Sequence, residues 1–303
     1  MTLLVDETAV RLRPAGVVRV TGPDRLSYLH TLLSQHLEGA RPGTVADFLY
    51  LDAKGNAQAA GRAVVRAEEV LLVTPPDVAA DLAAALERFK FLTQVEAADV
   101  SQAWALASVR GPGAIEAPGA RPEPMTAAPR PPGVVIRDRS GGVDLLGPPG
   151  WARERVADLQ LPEASEEDWE AWRISACEPG WGSEIAPGRR AQELGLLPTH
   201  VHLRKGCYPG QESIAKIYNL GHPRRALGLV QLDGPVAPGD RLQAEGKPAE
   251  VTSAARLGDS WVALVMLPLD RDGRVAGGGT VTGEGVSGRV VRRTGEGLPI
   301  PGA

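Results

Sequence analysis

The sequence predicts an α+β protein, with antiparallel sheets and helices through residue 224 and a small all-β module after it. Three observations carry this. Val17–Leu37, VVRVTGPDRLSYLHTLLSQHL, passes from alternating valines into leucines at helical spacing. Residues 44–73 hold short apolar runs separated by turn residues, as antiparallel strands do. From Arg225 onward ALGLVQL, RLQAEG, AEVTSAARLG, SWVALVMLP, GGTVTG and GRVVRR read as short strands broken by Gly, Pro and Asp, the texture of a small closed barrel or sandwich.

The elements follow in order. Gly22-Pro23 breaks the first strand, and Pro23 suits the first position of a helix whose stripe is Leu26, Leu29, Leu33 and Leu37. Phe48–Leu51 is a strand, Asp52–Asn56 supplies turn chemistry, and Ala63–Val65 and Val70–Val73 return across Arg66–Glu69. Asp77 is placed to cap a helix with Val78, Leu82, Leu86 and Phe89 on its apolar face. Strand-like sequence resumes at 95–109. Nine prolines between Gly111 and Pro149 rule out long regular elements there, and a mobile loop is expected around Pro118–Pro132. Val134–Ile136 and Val143–Leu146 form a hairpin candidate across Asp138–Gly142. Helices are expected at Gly150–Leu159 and Ser165–Ala176, the second opened by Ser165 and Asp168 in capping-box spacing.

The 303 residues require more than one core. With 43% apolar and 23% charged residues and a formal charge of -4, composition points to no nucleic-acid or membrane partner. No secretory signal and no run near the roughly 18 apolar residues of a membrane span is visible. Two cysteines, Cys177 and Cys207, make no disulfide framework, and a reducing, cytoplasmic setting is expected.

Chemistry concentrates in KGCYPGQE: Lys205, Gly206, Cys207, Tyr208, Pro209, Gly210, Gln211 and Glu212. A lysine two residues from a thiol favours its thiolate. Pro209-Gly210 turns the chain, and Gln211-Glu212 begins a helix whose first turn favours an acid. On residue pattern alone this is a strand–turn–helix with a half-buried cysteine. A nucleophilic role needs a base, and His200, His202 and His222 are near in sequence without a spacing that guarantees contact. His200 and His202, alternating on a strand, also make a three-ligand metal set with Cys207 conceivable.

KGCYPGQE resembles the signature of the YgfZ-type folate-binding proteins, which share a superfamily with the glycine-cleavage T-protein, an aminomethyltransferase. VTGPDRLSYLHTLLSQHL, the Asp52–Gly55 turn, WEAWRISACEPGWGSEI and AEVTSAARLGDSWVALVML resemble the same family, so the likeness spans most of the chain outside Gly111–Pro132. The resemblance implies a three-part ring: two interleaved antiparallel sheet/helix domains around a central cavity, and a C-terminal small β-barrel. The implied partition is 1–45 with 103–164, 46–102 with 165–224, and 225–303. It further implies a tetrahydrofolate or derivative as cofactor and support of iron–sulfur cluster assembly or repair, including for tRNA-modifying enzymes, as function. The partners would then be iron–sulfur enzymes or assembly factors.

Trp169 matches a folate-contacting tryptophan of the family, with Lys205 and Tyr208 as further cofactor contacts and Cys207 as the functional thiol. Trp172 reads as core. Two departures stand out. A second family tryptophan would fall near Ala15, and a glutamate that follows the position of Arg173 by two residues is Ser175, with Cys177 where a glycine is common. The alternative, a folate-dependent aminomethyltransferase, needs a carboxylate beside the folate nitrogen, and Glu184, Glu193 and Glu212 are its candidates.

Overall fold

The computed structural model describes residues 3–116 and 123–303. The first segments are β1 (Ala9–Arg13), β2 (Gly16–Thr21), α1 (Arg25–Leu32), β3 (Val45–Leu51), β4 (Ala57–Val65), β5 (Glu69–Thr74), α2 (Ala79–Phe89) and β6 (Glu96–Asp99). Next come β7 (Ala105–Arg110), β8 (Thr126–Arg130), β9 (Gly133–Arg137), β10 (Val143–Gly147), α3 (Pro149–Leu159), α4 (Glu166–Ser175), α5 (Leu197–His200) and α6 (Gln211–Leu220). The chain ends with β11 (Arg225–Leu232), β12 (Arg241–Ala244), β13 (Lys247–Leu257), β14 (Ser260–Pro268), β15 (Thr280–Gly283) and β16 (Val286–Arg293).

Two antiparallel five-stranded sheets form, in the orders β1-β7-β10-β9-β8 and β3-β4-β5-β2-β6. The remaining six strands close into a barrel, β11-β14-β13-β12-β15-β16, the expected C-terminal module. The strand order changes the implied partition in one respect: β2 and α1 belong with 46–102, because β2 pairs β5 and β6 rather than β1. Residues 1–45 are therefore divided between the sheets.

Side-chain alternation along the strands sets four layers. Val18, Val20, Ala63 and Leu72 face Leu29 of α1 and Leu82 and Leu86 of α2. The opposite face of the same sheet, Val17, Val45, Val64 and Leu71, packs on Leu106, Val134, Ile136 and Leu146 of the other. That sheet's outer face, including Val109, Val135 and Leu145, is covered by Val156 and Leu159 of α3. The order is helices, sheet, sheet, helix.

The sheets also meet through main chain. Val45 N donates to Met125 O (3.2 Å) and Ala127 N to Gly43 O (2.8 Å). Part of the expected mobile loop is thus β8; its residues 118–122 lie outside the described residues.

The sheet–sheet interface changes from apolar to charged along its length. Arg62 of β4 reaches Asp47 of β3 (3.1 Å) and crosses to Asp144 of β10 (2.9 Å). Arg110 of β7 holds Asp144 (2.9 Å) and Asp138 (2.8 Å). Burial alone would raise the Asp144 pKa, but Arg110 and Arg62 outweigh it and hold the carboxyl well below its ordinary range.

Local details follow from residue type. Gly22 has φ +102°, and a Cβ there would stand 2.1 Å from the Gln94 carbonyl, so only glycine ends β2 in this way. The leucine stripe outlasts its helix. α1 stops at Leu32, and Leu33 is extended and bridges Tyr50. Asp77 is no cap; it lies in a 3₁₀ turn, Pro76–Val78, that leads into α2. The α4 capping box forms, with Asp168 N donating to Ser165 Oγ (3.1 Å) and Ser165 N to the Asp168 carboxylate (3.0 Å). Among the described residues no helix is long and apolar enough to cross a membrane.

Replacing Asp144 with alanine leaves Arg62 and Arg110 short of a buried partner, and we expect a loss of about 3–5 kcal/mol in denaturant titration. The folded pKa of Asp144 is depressed, so its contribution is present above the unfolded value of about 3.9 and is lost as pH falls below it. The acid limb of the stability curve should therefore be shallower in Asp144→Ala than in wild type.

Candidate functional site

The signature segment is seated by a reciprocal clamp on α1. His30 Nε2 donates to the Lys205 carbonyl (2.5 Å), and the Lys205 ammonium donates to the His30 carbonyl. Leu37 N (3.3 Å) and Glu38 N (3.2 Å) donate to His30 Nδ1. With Nδ1 accepting and Nε2 donating, the ring is neutral with its proton on Nε2. The ammonium also lies 4.8 Å from the Tyr208 ring centroid. Lys205 and Tyr208 are buried and Gly206 and Cys207 exposed, so the clamp presents the thiol outward. Burial pulls the Lys205 pKa down to about 8, opposed by Cys207, and pushes the Tyr208 phenol up to about 12.

Gly210, at φ +78°, opens α6. A Cβ there would stand 2.6 Å from the Asp52 carbonyl and 2.9 Å from Gly55 Cα. The signature turn and the Asp52–Gly55 turn, far apart in sequence, thus stack as one unit. Gln211 is half-buried and Glu212 exposed in the first turn of α6.

Beside this loop runs a row of imidazoles, with His30 and His36 4.8 Å apart and His36 and His202 5.3 Å apart. His36 and His202 line a cleft of 490 Å³ together with Gln35, Thr44, Val45, Ala46, Pro124, Met125 and Arg139. Arg139 lies 3.6 Å from Asp47, which joins the cleft to the charged layer between the sheets. The expected histidine strand does not form. His200 ends α5 with its Nδ1 on Thr199 Oγ1 (2.7 Å), while His202 follows in irregular chain. No group of three His, Cys, Asp or Glu side chains among the described residues is placed to hold a metal ion.

Trp169 and Trp172 sit together on α4, ring centroids 4.6 Å apart and both buried with Leu4, Ala9 and Ala164. The Arg13 guanidinium covers the Trp169 ring at 3.8 Å, and Arg110 lies 5.4 Å from Trp169 and 4.8 Å from Trp172. Trp169 belongs to a different core cluster from Tyr208.

Of the candidate bases, Glu184 is fully buried and accepts from Arg173 (2.9 Å), Ser253 (2.6 Å) and Gly180 N (2.8 Å). Glu193 pairs with Arg225 (3.2 Å). Glu212 faces solvent.

Sequence reasoning passed over Glu178, three residues beyond α4. Its backbone is fixed by Arg173, whose side chain donates to Glu178 O (2.6 Å) and whose carbonyl accepts from Glu178 N (3.0 Å). Burial pushes its carboxyl up to about 7, with Arg110 opposing and Asp138 adding. Nearby, Ser175 Oγ and Arg110 Nε are buried without a hydrogen-bond partner. Cys177, at φ +62°, occupies a left-handed position and is buried, its thiol 3.1 Å from Thr294 Oγ1 and its pKa raised by burial.

Two outcomes are expected. Lys205→Met should cost about 1–3 kcal/mol by removing the donor to a buried carbonyl. Because the folded Lys205 pKa is depressed, wild type should gain stability relative to this variant as pH rises from 8 towards 10. Iodoacetamide should modify Cys207 in the native protein and Cys177 only after unfolding; modification of both at one rate would contradict their placement.

No family model matches the chain. A chloroplast protein of Arabidopsis thaliana, provisionally named a transferase, is 26% identical over 262 residues, covering 78% of this chain and 59% of that protein. This chain therefore spans less than two thirds of that relative. The tRNA-modifying protein YgfZ of Edwardsiella ictaluri is 28% identical over 277 residues, 84% of this chain and 77% of that protein. Among solved structures, the glycine cleavage system aminomethyltransferase T of Bartonella henselae superposes with a TM-score of 0.79 over 95% of this chain and 86% of that one, at 18% identity. Its likeness is one of fold. The chain is similar in sequence to these two proteins and shares its fold with the glycine-cleavage aminomethyltransferase.

Proposed function

We propose that this protein binds a reduced folate and acts in the cytoplasm as an accessory to iron–sulfur cluster assembly or repair, including for tRNA-modifying enzymes. The observation that carries the reading is the clamped signature loop, which holds Lys205 and Tyr208 inward and leaves Cys207 exposed, while the imidazole row that starts at His30 of the clamp leads to a ligand-sized cleft lined by His36 and His202.

A tetrahydrofolate fits the residues present. Its ring offers N–H donors, which suit the Glu178 carboxyl. Its glutamate tail suits Arg139 at the cleft. Bound folate would supply one-carbon chemistry. Trp169 would meet it through the Arg13 guanidinium that covers the indole, so the contact inferred for Trp169 is indirect in this reading. Lys205 and Tyr208 would shape the loop at the folate's edge. A single exposed thiol per chain supplies one ligand, so a cluster would be met transiently or shared with a partner.

Aminomethyl transfer is kept as a second reading by Glu178, a half-buried carboxyl that burial pushes up to about 7, towards the range a general base needs. Glu184 and Glu193 are held by Arg173 and Arg225.

Calorimetric titration should show tetrahydrofolate binding to wild type and a loss of about tenfold or more in Glu178→Gln, as expected for an unpaired polar ligand group. No heat with wild type would overturn the folate assignment. In a deletion strain, the wild-type gene should restore iron–sulfur enzyme activity and Cys207→Ala should not; equal rescue would remove the thiol from the mechanism. Methylenetetrahydrofolate formation from an aminomethyl donor would establish the transferase reading instead.

A further inference from the structure

The connector from α6 to β11, residues 221–224, meets the 270–274 turn of the barrel, and His222 joins the two. Its Nδ1 lies 2.9 Å from the Pro223 carbonyl oxygen and its Nε2 3.0 Å from that of Arg271. A neutral imidazole has one N–H and one lone pair. It can donate to only one of these carbonyls and sets its lone pair against the other. The imidazolium donates to both.

The turn is preformed around the ring. Asp270 N donates to Arg274 O (2.9 Å) and Gly273 N to Asp270 O (3.2 Å). The Asp270 carboxylate accepts from Asp272 N and Arg274 N, both at 2.9 Å, and Arg293 of β16 donates to Gly273 O (2.9 Å). The imidazole lies over Gly273, which has φ +74° and where a Cβ would stand 3.0 Å from ring Cγ and Cδ2. Glycine therefore serves both the backbone and the space the ring needs. The surrounding charges have both signs. Arg271 and Arg274 of the turn, Arg224 of the connector and Arg293 are the cations, Lys247 of β13 acts on Asp270, and Asp270 and Asp272 are the anions. The Arg271 carbonyl, then the Pro223 carbonyl, then Asp270 and Asp272 raise the imidazole pKa above its ordinary value.

The bridge holds the far half of α6. Ile214 is buried, and its carbonyl accepts from Gln192 Nε2 (2.9 Å). Beyond it Ala215, Lys216, Tyr218 and Asn219 are exposed and Ile217 is half-buried. No described side chain of 215–221 makes a hydrogen bond or ion pair. Gly221, at φ +130°, ends the helix, and the main chain is next fixed to the barrel at Arg224, whose carbonyl accepts from Leu269 N (2.9 Å). We propose that His222 is a proton-operated latch: as the imidazolium it fastens the end of α6 to the barrel, and as the neutral ring it lets that end fray. The inference stands apart from the folate reading. The latched state binds the proton more tightly than a free imidazole, whose pKa is about 6.5. The latch is therefore closed below about pH 6.5 and opens as pH rises through the raised value.

The test uses the full-length protein, its histidines labelled with nitrogen-15, and follows the ring nitrogens by magnetic resonance from about pH 5 to about pH 9 at constant ionic strength. His222 should keep both ring protons to a higher pH than the unperturbed value of about 6.5. Over the same range the amides of 216–224 should exchange about tenfold faster at the upper end than at the lower, once each rate is divided by its intrinsic rate at that pH. In His222→Ala these amides should exchange fast throughout, with β13 and β14 as in wild type. His222 is exposed, so its loss leaves the core untouched. A His222 transition at or below the unperturbed value would overturn the proposal. So would wild-type exchange that does not change with pH, or a pH step that survives in His222→Ala and so belongs to another histidine. The ring titration is read on the wild type and does not depend on how the variant folds.

Discussion

Across the sheet–sheet interface Arg62 donates to Asp47 on its own sheet and to Asp144 on the facing one, and Arg110 closes the network through Asp144 and Asp138. The apolar half of that interface sets how far apart the sheets stand. The charged half sets how they are registered, because a slip of either sheet would strand buried charges at a cost far above that of an imperfect apolar contact. Arg139 extends the network to the cleft, and Glu178 faces it from beyond α4, so the same layer that joins the sheets also gives the interior its chemistry.

The signature loop depends on different forces. Its position comes from the His30–Lys205 clamp and the Gly210–Asp52 packing, both anchored in the second sheet and its helix. Lys205 is thereby a positioning residue first. Its ammonium is committed to the end of α1 and to the Tyr208 face. The loop thus buries its lysine and tyrosine and exposes its thiol.

Much of the fold was legible because periodicity reports which face is buried. The β9–β10 hairpin, the α4 capping box and the closed barrel all follow from local pattern. What periodicity could not report is pairing between distant segments. Nothing in VVRVTG says whether β2 joins β1 or β5, and that pairing moved α1 to the second sheet. Asp77 looked like a cap because Asp often is one, yet Pro75-Pro76 draws it into a 3₁₀ turn. In the site, KGCYPGQE was conspicuous through its glycines and thiol, whereas His30 was hidden in a leucine stripe and Glu178 in a Pro/Gly turn. Both acquire roles only when the fold brings distant residues against them, Lys205 against His30 and Arg110 and Asp138 against Glu178.

The proposed seat of the folate is the charged seam and not the barrel. Amide hydrogen exchange with and without saturating tetrahydrofolate tests it most directly. Slower exchange in 44–47, 137–140 and 175–180, with β12 and β15 unchanged, is the predicted result. Protection confined to the barrel strands, with the seam exchanging as in the free protein, would place the folate elsewhere.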